Sequence, residues 1–163
     1  SGIKTLADLK GKTIAFGGDK KSVGAYLLPV SLLLKQGWKE GTDFKTYFAP
    51  KPPGAVIEAH KGLLAQAAGT GDTVLGFKQL AKITPDMMVI AKTEDYVSQA
   101  WAVKAEMPGD LRQQLLRELV ALSQDAEGKK ILQAAELSGV YPVDDAAFAG
   151  IRSVIQTVMG ESY

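Results

Sequence analysis

Apolar residues form short runs between glycine-rich turns in the first half of the chain and helical stripes in the second half. Residues 12–17 (KTIAFG) are a short apolar run that ends at glycine, which predicts a buried strand. From Ser22 the apolar positions recur at helical spacing until Gly37. Pro29 falls inside that stripe. Because proline has no backbone N–H, the predicted helix should be kinked or loosened there.

Short elements continue as far as residue 105. Residues 43–49 (DFKTYFA) predict a second strand, with Tyr47 and Phe48 on opposite faces. The further predictions are, in chain order, a loop at 50–54 (PKPPG), a helix at 55–69 that could break at Gly62, a strand at 72–77, a helical turn at 77–83, and strands at 87–93 and 98–105. Strands that alternate with helices over the first ~85 residues predict a parallel α/β sheet.

Three helical segments follow without a strand between them, and they occupy residues 108–123, 125–137 and 143–160. Pro108 and Asp110 mark the start of the first segment, and Asp144 is placed to cap the third. The tail of the chain is therefore predicted to be helical, in contrast to the α/β pattern before it.

Charge and composition exclude several classes of function. Nineteen basic and eighteen acidic residues leave a net charge of +1, whereas a nucleic-acid-binding domain usually has a strong basic excess. The chain has no cysteine, which excludes disulfides and thiolate metal sites. Its longest apolar run, residues 25–34, is far shorter than the roughly 20 residues of a membrane span. We therefore expect a soluble protein without a cofactor or a nucleic-acid partner.

The turn at residues 17–24 (GGDKKSVG) is the first candidate for chemistry. In parallel α/β proteins, ligands collect where strands lead into helices. Ser22 is placed to cap the helix, whose first amides, those of Val23 and Gly24, would point outward at its positive end. Lys21 and the lysine before it would raise the local potential further. The turn therefore predicts either a small-anion site or a capped helix with two solvated lysines, and the residues alone leave both open.

His60, the only histidine, is the second candidate. It follows the second predicted strand, so it would share the rim of the sheet with Ser22 if the two strands are neighbours. A lone histidine is more often a structural residue than a ligand. A hydrolytic triad of Ser22, His60 and Asp72 is not favoured, because Ser22 lacks the G-x-S-x-G turn that exposes a nucleophile. We predict no catalytic residue and, with one histidine and no cysteine, no metal ligand.

Segments spread over nearly the whole chain match the pattern of one protein family. Residues 3–17 (IKTLADLKGKTIAFG) are similar to its leader I-x-S-L-A-D-L-K-G-K-x-V-A-F-G, and residues 26–29 (YLLP) to the end of its helix start S-T-S-G-Y-x-x-P. Residues 59–72 contain its histidine and its G-x-x-D segment, and residues 125–148 resemble its tail. The chain thus resembles the phosphonate-binding family of periplasmic solute-binding proteins of ABC transporters.

This resemblance implies a fold and a division of the chain. Members of the family have two α/β lobes around a cleft, and the match covers only their second half. Residues 3–92 resemble the second lobe, and residues 98–163 resemble the return strand and C-terminal helices that complete the first. The implied fold class is α/β and type II periplasmic binding protein-like, with a parallel-sheet α/β lobe plus a helical C-terminal segment.

The resemblance also implies a function. It indicates a non-enzymatic, periplasmic (extracytoplasmic) substrate-binding protein that delivers a small phosphonate- or phosphate-like oxyanion to an ABC permease. Together with the chemistry of the turn, it gives a set of ligand-binding residues. These are Ser22, Val23, Gly24, Lys21 and His60.

One departure from the family pattern leaves a second function open. Where the family has S-T-S-G, residues 22–25 read SVGA, so two of three polar side chains are missing. The alternative is therefore a ligand-sensing or interaction domain of a membrane-bound signalling protein with a degenerate site. In either role, an incomplete first lobe predicts a homo-oligomer that covers it.

Overall fold

The computed structural model describes residues 2–97, 100–135 and 137–163. The chain divides into two compact units. The first comprises Ser1–Asp95 and Gly150–Tyr163, and the second comprises Tyr96–Ala149.

A three-stranded parallel sheet forms the centre of the first unit. Strands β1 (Thr13–Gly17), β2 (Lys45–Ala49) and β3 (Ala67–Gly69) lie in the order β2-β1-β3. Phe16 of β1 pairs with Phe48 on one side and Gly69 on the other, so the three carboxyl ends meet at one edge. The α/β parallel sheet predicted from the sequence is confirmed.

Proline shapes the helix that follows β1. Helix α1 (Leu28–Lys35) is preceded by a π-helical turn at Val23–Leu27, whose N-cap is Ser22. Pro29 has no N–H to bond to Ala25, so the chain is wound more loosely before it, as predicted from its place inside the stripe.

The two faces of the sheet are covered differently. Helix α2 (Pro52–Lys61) packs on the face that holds Tyr47, where small residues allow close approach. The buried residues of this core are Ala15, Ala49, Ala55 and Ala65. On the other face, the ring of Tyr26 lies 5.1 Å from that of Phe16 and 5.3 Å from that of Phe48. Tyr47 and Phe48 thus point to opposite faces, as predicted.

The predictions between residues 50 and 77 were partly wrong. Helix α2 begins at Pro52, inside the predicted loop, because proline is well suited to a first helical turn. It ends at Gly62, which has φ of 67°, so residues 67–69 of the predicted helix form β3 instead. The predicted strand at 72–77 is contradicted, since helix α3 (Asp72–Leu75) begins there.

The two later strands are also absent from the described residues. Residues 87–97 and 100–104 have no regular secondary structure, while positions 98 and 99 of the predicted strand at 98–105 lie outside the described residues. Both segments hold exposed apolar side chains, such as Val89 and Trp101. Their composition suggested strands, but strands need hydrogen-bonded neighbours, and β2 and β3 have no described partner beyond β1.

The helical tail is confirmed. It contains α4 (Gly109–Ala121), α5 (Ala126–Ala134) and α6 (Ala149–Met159), the last preceded by a 3₁₀ turn at Asp145–Phe148. The carboxylate of Asp144 accepts a hydrogen bond from the amide of Ala147, so it caps this turn as predicted. Position 136, at the end of the second predicted helical segment, lies outside the described residues.

Candidate functional site

An open depression of about 450 Å³ lies at the carboxyl ends of β1 and β2. It is lined by Gly18, Asp19, Lys20, Lys21 and Phe48. This is the edge at which parallel α/β proteins bind ligands, because loops and helix starts converge there. The sequence-predicted turn at residues 17–24 therefore lies where a ligand site was expected.

Local hydrogen bonds fix the shape of this turn. The amide of Lys21 donates to Oδ1 of Asp19 over 2.8 Å, which forms an Asx turn. The amide of Asp19 points at Oγ of Ser22 at 3.4 Å, so the hydroxyl faces back into the loop. Ser22 is the N-cap residue by position, but its side chain makes no capping hydrogen bond. The predicted N-cap position of Ser22 is therefore confirmed, but its hydroxyl does not supply the cap.

The first turn of the helix has free donors. The amides of Tyr26 and Leu27 both donate to the carbonyl of Ser22, at 2.8 and 3.0 Å. The three amides before them, those of Val23, Gly24 and Ala25, have no acceptor within the part of the chain that the structure describes. Such amides at a helix start carry partial positive charge and are suited to an anion.

A second loop meets this turn. A Cβ placed on Gly24 would lie 3.8 Å from Cα of Gly71, so the loop after β3 passes directly beside the helix start. Its neighbour Thr70 has a buried hydroxyl with no hydrogen-bond partner among the described residues. A buried hydroxyl without a partner is destabilising, and it indicates a place where a ligand or water would bond. No local pattern singled out Thr70 as a ligand residue, although it lies within the G-x-x-D segment at residues 69–72.

The start of α2 lacks such donors. Pro52 and Pro53 have no N–H, and the amide of Gly54 donates to the carbonyl of Lys51 over 2.9 Å. Gly17 lies against this helix start, since a Cβ on it would overlap with Cα of Pro52 and lie 2.5 Å from its nitrogen. At this edge, the start of α2 therefore packs directly on β1 and contributes no first-turn amide to the site.

Glu40 neutralises one of the two lysines. Its Oε2 lies 3.1 Å from Nζ of Lys20 and accepts a hydrogen bond of 2.9 Å from the hydroxyl of Tyr26. Its Oε1 accepts one of 2.7 Å from the hydroxyl of Thr46. Lys21, by contrast, is exposed and has no carboxylate within ion-pair distance among the residues described. Of the two lysines in the turn, Lys21 is the one free to attract an anion.

These contacts shift two pKa values. Burial would raise the pKa of Glu40, but hydrogen bonds from Thr46, Tyr26 and Lys20 outweigh it and hold the pKa below its usual value. The pKa of the Tyr26 phenol is raised strongly, first by burial and then by the neighbouring Glu40 carboxylate. At neutral pH Glu40 is therefore ionised and the Tyr26 hydroxyl remains a donor.

Replacing Glu40 with glutamine should make the free energy of unfolding depend less steeply on pH in the acid range. A carboxyl group whose pKa is lowered on folding stabilises the fold above its unfolded pKa, and that stabilisation disappears as pH falls through the folded pKa. The gap in unfolding free energy between wild type and E40Q should therefore shrink as pH falls below 4.5, the usual pKa of a glutamate side chain. Because the side chain is about one-third exposed, we expect a gap under ~1 kcal/mol. Urea unfolding between pH 3 and 7 measures it, and two parallel curves would contradict the assignment.

His60 does not lie with Ser22. It occupies the last turn of α2, which starts at the carboxyl edge of the sheet and runs back to the amino edge, where the amide of Gln66 bonds to Thr13. Its Nε2 lies 3.3 Å from Oδ2 of Asp86, and the side chain is exposed. The expectation that His60 and Ser22 share a rim is therefore wrong, since the helix begins earlier than predicted and carries His60 away.

Nor are Ser22, His60 and Asp72, which all lie among the described residues, brought together as a triad. Asp72 uses Oδ1 to accept the amide of Thr73 at the start of α3, while His60 is at the other end of the sheet. Within the described ranges, no three histidine or acidic residues are grouped so as to hold a metal ion. Nor is any described helix long and apolar enough to cross a membrane.

Two solved structures share this fold. XAC2383 from Xanthomonas citri bound to chloride ion superposes with a TM-score of 0.68 at 18% identity, and the same protein bound to ATP does so with 0.67 at 18%. Each match covers 98% of this chain and 62% of the other, so this chain spans less than two thirds of that protein's length. At this identity the likeness establishes the fold, and the type II periplasmic binding protein-like class predicted from the sequence is confirmed.

A family model gives the relationship by sequence. The model described as "ABC transporter, phosphonate, periplasmic substrate-binding protein" matches residues 1–148, which is most of the chain. Its members bind solutes for transport and are not an enzyme family. This chain therefore belongs to the phosphonate-binding family of periplasmic substrate-binding proteins of ABC transporters.

Proposed function

We propose that this protein binds a small phosphonate- or phosphate-like oxyanion at the carboxyl edge of the sheet and delivers it to an ABC permease in the periplasm. The anion sits at the free amides of Val23 and Gly24, with Ser22 and Lys21 beside it. His60 is not part of this proposal, because it lies in the last turn of α2. The lobe boundaries at residues 92 and 98 and the homo-oligomer stay proposals of the same kind.

The observation that supports this site best is the collection of unsatisfied donors around one turn. The amides of Val23 and Gly24 lack acceptors, Lys21 lacks a carboxylate, and the buried hydroxyl of Thr70 lacks a partner, all among the described residues. Asp19 also lines the depression, but its Oδ1 is occupied by the amide of Lys21. Donors without acceptors favour an anion that brings several oxygens.

Thr70 offers a replacement for one of the polar groups that the family pattern has and this chain lacks. Residues 22–25 keep one hydroxyl, that of Ser22. Thr70 belongs to the neighbouring loop, and the residue that follows it, Gly71, lies beside Gly24. A tetrahedral oxyanion at the helix start would satisfy the amides and this hydroxyl together.

Replacing Thr70 with valine should weaken anion binding by about tenfold, the usual effect of losing one hydrogen bond to a charged group. Valine keeps the shape and removes a buried hydroxyl that has no partner without ligand, so the unfolding free energy should stay unchanged or rise. Isothermal titration with methylphosphonate, phosphate and sulfate measures the affinities. Chloride and ATP belong in the same panel, because XAC2383 has been solved with each.

Thr157→Val is the matched control, because Thr157 is an exposed residue of α6 whose hydroxyl bonds to the carbonyl of Ser153. It should leave every affinity unchanged. A folded wild-type sample that gives no heat with any of these anions would overturn the anion site. Equal affinities of wild type and T70V would remove Thr70 from it.

The alternative role is a ligand-sensing or interaction domain of a membrane-bound signalling protein with a degenerate site. Two observations favour it: Glu40 neutralises Lys20, and α2 begins with two prolines that lack donors. The same titrations separate the two roles in part, because a folded protein that binds none of these anions would have a degenerate site. Co-purification with a permease would support transport.

A further inference from the structure

Glu40 is held firmly beside the depression although it does not line it. Three donors converge on its carboxylate: Lys20 at 3.1 Å, Tyr26 at 2.9 Å and Thr46 at 2.7 Å. Thr46 belongs to β2, and Tyr26 to the π-helical turn, where it is buried against Phe16 and Phe48. Both neutral donors thus come from the folded core of the unit, so they fix Glu40 in place.

Glu40 in turn fixes Lys20. The ammonium group of Lys20 is bonded to Glu40 and lies 5.9 Å from the centre of the Tyr26 ring, a cation–π distance. Lys20 also lines the depression, so this contact sets where its charge sits relative to a ligand. A lysine whose head group is engaged in this way is less able to turn toward an anion in the depression.

The charges around the depression cancel. Lys20 and Lys21 supply two positive charges, while Asp19 and Glu40 supply two negative ones. Ligand binding beside this turn therefore depends mainly on amides, hydroxyls and Lys21, the lysine of the depression's lining that has no carboxylate partner among the described residues. Because the net charge here is near zero, a second negative charge on the ligand adds little attraction. Glu40 repels the ligand in proportion to the ligand's charge.

We propose that Glu40 is the residue that sets the charge selectivity of the site, so that it favours a singly charged oxyanion over a doubly charged one. This inference rests on the proposed anion site and adds the ligand's charge class to it. The paired Lys20 screens Glu40 only in part, and the carboxylate excludes the doubly charged ion more strongly because the repulsion scales with ligand charge. Glu40 acts through Lys20 and the local potential and does not touch the ligand.

The test compares two tetrahedral oxyanions whose charges do not change near neutral pH, sulfate (doubly charged) and methanesulfonate (singly charged). In E40Q, Lys20 is released and one negative charge is lost, while the amide oxygen can accept from one of the two hydroxyls of Tyr26 and Thr46 and the amide NH2 can donate to the other. The ratio of sulfate to methanesulfonate affinity should rise about threefold, the size expected for removing one partly exposed charge near a bound ion. Isothermal titration at low salt measures both affinities, and circular dichroism confirms the fold.

A second variant keeps the inference testable if E40Q is unstable. Lys20→Gln leaves Glu40 unpaired, so the same ratio should fall about threefold, and the K20Q/E40Q double variant should return close to wild type. Glu58→Gln is the matched control, because Glu58 pairs with Lys61 near the end of α2, away from this edge, and it should leave the ratio unchanged.

The outcomes separate this inference from the proposed function. A ratio that rises in E40Q or falls in K20Q supports the role of Glu40. Wild type that binds either anion, with a ratio that neither variant changes, overturns the charge selectivity and leaves the anion site intact. If neither anion, nor phosphate, nor methylphosphonate binds to the folded wild type, the anion site itself fails, and this inference fails with it.

Discussion

Replacing Gly17 with alanine should lower the free energy of unfolding by about 3 kcal/mol, at the upper end of the usual cost of overpacking a core. Gly17 is the buried last residue of β1, and an added Cβ would overlap with Cα of Pro52 at the start of α2. The atoms it would meet first are backbone atoms and ring atoms of proline, which cannot rotate away. Either α2 must move off the sheet or β1 must end earlier. Urea unfolding followed by circular dichroism measures the loss.

Gly109→Ala is the matched control for this substitution. Gly109 is the first residue of α4, it is exposed, and an added Cβ would meet nothing within 4 Å. Alanine there should leave the stability unchanged or raise it slightly, because it restricts the unfolded chain. If G17A were as stable as wild type, the close contact between β1 and α2 would be wrong, and with it the position of α2 at the ligand edge.

The elements predicted correctly are those with strong local signals. β1 and β2 are rich in apolar and aromatic residues, and the helices of the tail have clear apolar stripes and capping residues. The local sequence is therefore enough to determine whether each of these segments is a strand or a helix. β3 is only Ala67–Gly69, without a β-branched or aromatic residue, and it exists because Phe16 and its neighbours offer hydrogen bonds. The segment at 72–77 has the apolar composition of a strand, but it follows β3 too closely to form another.

The candidate site could be located only in part from the sequence, for the same reason. The turn before Val23 could be recognised because glycine, lysine and serine are adjacent in the sequence. The pairing of Lys20 with Glu40 spans twenty residues, and the approach of Gly71 to Gly24 spans still more, so no local pattern shows either. His60 was misplaced because Pro52 was assigned to a loop, and an earlier helix start moves every later residue along the helix.

Replacing Val23 with proline should remove an amide donor from the anion site without breaking the helix. Val23 is the first residue of the π-helical turn, a position where proline is well tolerated, and Ser22 before it has extended backbone angles (φ −68°, ψ 105°) that suit a residue preceding proline. Because a hydrogen bond from an amide to an anion contributes about 1.5–3 kcal/mol, affinity for the bound anion should fall at least tenfold. Titration with methylphosphonate and phosphate measures it.

Ala126→Pro makes the same change at a helix start away from the site and isolates the effect of the lost donor. Ala126 is the exposed first residue of α5, and Asp125 before it is extended and caps Gly128 through its side chain. Both variants should have the stability of wild type, and only V23P should lose affinity. If V23P stays folded and binds as tightly as wild type, the Val23 amide does not contact the ligand. The ligand is then held without the first amide of this helix start, and the proposed placement of the anion at Val23 is wrong.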